Sequence, residues 1–132
     1  MYGFSISMSG SMDEVCDKVT EALKTEGFGV LTEIDVQATL KKKIDVDRKP
    51  YKILGACNPH LANQAINAEP DIGLLLPCNV VVREENDGSM TVAFMDPAAV
   101  LDLTDNAAVH KLAPQVKAKL EKVRDLLASA SH

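Results

Sequence analysis

Asn86-Asp87-Gly88 is the strongest single constraint in this chain, because such a triplet between alternating stretches marks a tight β-hairpin. Before it, residues 77–84 set Cys78, Val80 and Val82 against Asn79, Val81 and Arg83. After it, residues 90–96 pair back. Two strands joined by so short a turn run antiparallel. The chain therefore carries an antiparallel sheet, and its other elements have to be placed around that hairpin.

The N-terminal stretch alternates in the same way. Phe4, Ile6 and Met8 fall on one face and Gly3, Ser5 and Ser7 on the other, as a strand with one buried side requires. Ser11 and Glu14 form a capping-box pair, and Met12, Val15, Cys16, Val19 and Leu23 then recur at helical spacing until Gly27 supplies the stop. A second strand is predicted over 28–34, with Phe28, Val30 and Ile34 sharing a face, and a third over 51–57. Between them Val36, Leu40 and Ile44, four apart, predict a short helix, followed by a charged turn over 45–50. Another short helix is predicted over 61–68, with Pro70 just beyond it. Val109, Leu112, Val116, Leu120, Val123 and Leu127 make one stripe of a long C-terminal helix, in which Pro114 predicts a restart or a kink. The order strand, helix, four strands, helix gives an α+β fold. Its antiparallel sheet has two main helices packed on one face and short helical insertions.

Composition narrows the function classes. The 132 residues fit a single domain spanning 1–132, and no repeat, low-complexity tract or linker divides them. With 4% aromatics and no Trp, the core has to be aliphatic. The net charge of −5 argues against nucleic acid as a partner, which needs a basic face, and the scarcity of aromatics removes the platforms on which bases stack. The basic run Lys41, Lys42, Lys43, Arg48, Lys49 and Lys52 reads as a solvated helix end and loop, with anionic ligand or lipid contact as the alternative. Residues 1–10 alternate instead of forming the apolar centre of a signal peptide, and no apolar run approaches a membrane span. Three cysteines without a dense framework point to a reducing cytoplasm. The small residues over 128–131 predict that His132 frays.

Several motifs together resemble a known prokaryotic family. They are Ile53-Leu54-Gly55-Ala56-Cys57-Asn58-Pro59, Glu69-Pro70-Asp71-Ile72-Gly73-Leu74-Leu75-Leu76-Pro77-Cys78-Asn79-Val80-Val81-Val82, Phe94-Met95-Asp96-Pro97 and Glu26-Gly27-Phe28-Gly29-Val30-Leu31-Thr32-Glu33-Ile34-Asp35. The family is the domain of unknown function DUF302, and the resemblance covers nearly the whole chain. It implies a TATA-binding-protein-like α+β arrangement, in agreement with the order read from the residues, and it suggests a homodimer. It brings no activity with it, and likeness of fold would not imply DNA binding.

The hairpin also says where chemistry could gather. With strand 51–57 antiparallel to strand 77–84, the chain positions of Cys57, Cys78 and Asp96 share one end of the sheet. Asn58, Pro59 and His60 leave from that end and Asn79 enters it. Three readings compete for this constellation. In the structural one the cysteines are core, and Asn58, Asn79 and Asp96 cap backbone groups at strand ends. In the second, Cys57, His60 and Cys78 offer sulfur and nitrogen ligands to zinc or copper with Asp96 as a fourth ligand or supporting partner, or the two thiols form a reversible disulfide. The spacing is not the tight C-x-x-C of established metal sites. In the third, Asn58, Asn79 and Asp96 stand at the mouth of an apolar small-molecule pocket. A catalytic thiol would need a base, and His60 is the one beside Cys57.

Elsewhere, Cys16 belongs to the core stripe of the first helix, His110 to the start of the last one, and Glu84-Glu85 to a solvated strand end. Met8, Met12, Met90 and Met95 fit core packing. The expected protein is thus a small cytoplasmic binding or sensing domain more than an enzyme, with a homodimeric partner and a small-molecule ligand.

Overall fold

The computed structural model describes residues 1–130; Ser131 and His132, the latter expected to fray, lie outside the described residues. The chain opens with β1 (Gly3–Met8) and α1 (Met12–Thr25), followed by β2 (Gly29–Asp35), α2 (Val36–Ile44) and β3 (Tyr51–Cys57). Next come α3 (Pro59–Ala68), a 3-10 segment (Pro70–Leu75) and the hairpin of β4 (Cys78–Glu84) with β5 (Met90–Met95). A single turn α4 (Pro97–Val100), a second 3-10 segment (Leu101–Leu103) and the long α5 (Ala107–Ala130) complete it. The strands form one antiparallel sheet in the order β1-β5-β4-β3-β2. The predicted α+β architecture is the one observed.

Local chemistry explains most boundaries. The capping box at Ser11 and Glu14 is formed in both directions, and Gly27 takes the positive φ of 82° that ends α1. Asn106 caps α5 by accepting from the amides of Ala108 and Val109. That helix runs through Pro114 without a restart, because Leu112, Ala113 and Val116 around it are all buried and hold both halves on the core. α3 starts two residues earlier than its apolar periodicity suggests, since Asn58 caps it and Pro59 occupies the first turn.

The core lies between the sheet and the α1/α5 pair. Across the sheet, Phe4, Phe94, Val80 and Leu54 form one register row, and Ile6, Val92 and Val82 another. These residues point at the helices, whose predicted stripes are buried against them. The single face expected for Phe28, Val30 and Ile34 is broken. Val30 and Ile34 do not share a face, because a β-bulge between Val30 and Thr32 shifts the register. Val30 stays opposite Ala56 on the helix side, whereas Ile34 comes opposite Ile53 on the other side and is 49% exposed. That second face also carries Tyr51, Val81 and Ala93, all half-buried. Among the described residues no helix is long and apolar enough to cross a membrane.

Candidate functional site

At the end of the sheet where β3 finishes and β4 begins, the chain forms a half-open cavity of about 350 Å³. Its walls come from distant parts of the sequence: Phe28 before β2, Ala56 on β3, Leu61 and Ala65 on α3, and Leu112 and Val116 on α5. Leu31 and Thr32 at the bulge, and Gly73, Leu76 and Pro77 ahead of β4, border it as well. No charged side chain lines it.

Asn58 frames the cavity. Its Oδ1 accepts from the Leu61 amide at 3.3 Å and its Nδ2 donates to the Glu26 carbonyl at 3.2 Å, so one buried side chain ties the end of α1 to the start of α3. Gly27 makes room for this tie, since a Cβ there would stand 3.0 Å from Nδ2. Replacing Asn58 by Ala removes the cap and strands the Glu26 carbonyl. A loss of about 2 kcal/mol is expected in urea unfolding.

Cys57 and Cys78 both line this cavity and both are free thiols. Cys78 is 7% exposed, and burial, helped by the neighbouring Cys57, pushes its thiol up to about 11. Because an unfolded thiol ionises near 9.0, the folded state holds this stabilisation fully below pH 9 and loses it as pH rises through 11. Cys78→Ala is therefore expected to flatten the alkaline fall of unfolding free energy by about 2–3 kcal/mol, read from urea titrations stepped across that window. Cys16 is core, as expected, and burial raises its thiol too.

The other residues singled out from the sequence do not join them. Ala56, not Cys57, is the register partner of Cys78, so the two thiols leave adjacent strands in alternate directions and meet the cavity from different sides. His60 is exposed on the first turn of α3 and is not part of the wall. Asn79 is exposed on the opposite face, in a more polar groove beside Val81 and Arg83. Asp96 caps α4 by accepting from the Ala98 amide at 2.9 Å and pairs with Lys117 at 3.1 Å. Among the described residues no three His, Cys, Asp or Glu side chains gather to hold a metal ion, so Cys57, His60 and Cys78 do not form the zinc or copper set the sequence suggested. The apolar pocket expected from the sequence takes its walls from residues on α3 and α5 that no sequence motif marks. Their one local signal is the small pair Ala62 and Ala65 on α3, which leaves space facing the core.

The family model described as domain of unknown function DUF302 matches residues 4–127. The chain belongs to the DUF302 family. The crystal structure of an uncharacterized conserved DUF302 protein from Bacillus stearothermophilus is similar to it, with a TM-score of 0.88 and 30% sequence identity, covering 96% of this chain and 98% of that one. No curated protein matches. The DUF302 match spans the cavity-forming elements from β2 to α5 in one continuous stretch.

Proposed function

We propose that this DUF302 domain binds a small, uncharged, mostly apolar molecule in the cavity at the end of its sheet. The supporting observation is the cavity itself. At about 350 Å³ it falls within the range of ligand sites, and its lining of aliphatic side chains with two thiols, Thr32 and Asn58 has the usual make-up of one. It is about twice the size of an engineered apolar cavity that takes up benzene. A medium-length alkyl ketone such as 2-nonanone is a suitable probe. It should raise the unfolding midpoint in a saturable manner, since a ligand bound only to the native state stabilises it by mass action. Ala65→Phe, which fills the cavity from α3, should abolish that rise while the unliganded midpoint reports whether the variant folds. Equal shifts in both chains, or none in either, would contradict the proposal.

A second reading concerns the partner. The sheet face bearing Ile34, Ile53, Val81 and Ala93 keeps partly exposed apolar side chains, which favours pairing of two copies through it. Light scattering should then give a dimer that Ile34→Glu converts to monomer; a monomer from the unaltered chain at micromolar concentration would sink this reading.

A further inference from the structure

We infer that the two thiols make the cavity a covalent trap for apolar ketones carrying a conjugated carbon–carbon double bond, with Cys78 donating to the carbonyl and Cys57 adding to the far carbon of the double bond. This rests on the cavity as a binding site and names the class of molecule it holds. Cys78 is more than nine-tenths buried, lines the cavity and has no hydrogen-bond partner for its thiol among the described residues. A ligand carbonyl would supply the missing acceptor, and with its proton held to about 11 the thiol stays a donor at neutral pH. Cys57 differs in the respect that matters: it is half-buried at the last position of β3, in reach of both the cavity and water. The third thiol, Cys16, faces the α1 core and stands outside the cavity, an internal control.

The alternate directions of the two thiols suit this division. Both are free thiols on the same cavity, and they can address different atoms of one ligand. In the addition, Cys57 gives its proton to water and its Sγ bonds to the β-carbon. The double-bond electron pair moves onto the carbonyl oxygen as an enolate beside the Cys78 S–H, and water returns a proton to the α-carbon. One S–C bond forms, one π bond is lost, and no leaving group or oxidant is needed. With no charged side chain in the lining, an addition of this kind is better suited to the site than hydrolysis. Holding the alkyl tail in the cavity turns the encounter into a reaction between positioned groups.

The test compares 3-nonen-2-one with the shorter 3-penten-2-one by intact mass and peptide mapping, using N-acetylcysteine as the reference thiol. The expected result is one adduct per chain, on Cys57, formed roughly 10-fold or more faster than on the reference thiol and faster for the longer ketone. Addition of 2-nonanone should slow it, Cys57→Ser should abolish it, and Cys78→Ala should slow it several-fold while the chain stays folded. Labelling of Cys16 or Cys78, a rate equal to the reference with no dependence on chain length, or an unchanged rate in Cys78→Ala would overturn the inference. If 2-nonanone still raises the unfolding midpoint under those conditions, only the covalent step fails; if it does not, the cavity reading fails with it.

Discussion

Gly55→Ala is expected to lower stability by about 3 kcal/mol or more, roughly 10 °C or more in the unfolding midpoint of a domain of this size. Gly55 lies in the middle of the sheet's third strand, opposite Thr32 on one neighbour and Asn79 on the other. A methyl group there would overlap the Thr32 hydroxyl and come within 2.8 Å of the Pro77 ring. The Pro77 ring cannot swing away, and Thr32 can relieve its contact only by turning its side chain. The bulge sets where the Thr32 backbone lies, and Pro77 leads directly into β4. The Thr32→Ala background separates the two contacts, because it deletes the hydroxyl but leaves the proline. Gly55→Ala should cost measurably less there, a coupling of the kind double-mutant cycles read. Equal cost in both backgrounds would mean that Thr32 is not the obstacle. Because both neighbours also line the cavity, the same substitution should weaken ligand uptake in whatever fraction still folds.

Phe94→Ala should cost about 3–5 kcal/mol, a large share of the 5–15 kcal/mol that holds a typical domain together. Phe94 is 1% exposed at the centre of the sheet, between Phe4 on β1 and Val80 on β4. Its ring stacks on Phe4 with centroids 5.4 Å apart, and the Arg124 guanidinium lies over Phe4 in turn, 5.2 Å from that ring's centre. In a chain with 4% aromatics this pair is a large part of the aromatic packing, and the aliphatic neighbours offer little to collapse into the space. Phe94→Leu, which keeps most of the volume, should lose well under half as much in the same denaturant titration. Similar losses for the two substitutions would mean that the ring stacking, and not the buried volume, contributes most of the stability at this position.

What could be read in the sequence follows from how local each signal is. The capping box at Ser11, the stripe from Val109 to Leu127 and the turn at Asn86-Asp87-Gly88 depend on neighbours a few residues away, and the structure contains all three. The bulge at Leu31 depends on how β2 meets β3, so no pattern within β2 could announce it, and Ile34 consequently sits on the other face. The candidate site divides in the same way. Strand order does bring the chain positions of Cys57, Cys78 and Asp96 to one end of the sheet, but sharing an end is not sharing a face. The alternation of Cys78 with Asn79 already separates those two side chains. Asn58-Pro59 and Asp96-Pro97 each carry a cap residue followed by a first-turn proline, a helix-start signature that accounts for both polar residues. The cavity is tertiary: Phe28, Leu61 and Val116 come together only when three elements pack, and nothing in their spacing foretells it.

Whether the cavity at the end of the sheet is a binding site is read out by a methyl-resolved NMR titration with 2-nonanone. Saturable shifts are expected at methyls of the cavity wall, Leu61, Ala65, Leu112 and Val116 among them, with the methyls of Ile53 and Val81 on the far face unmoved. Shifts centred on Ile53 and Val81, or no saturable shift at any of these methyls, would contradict it.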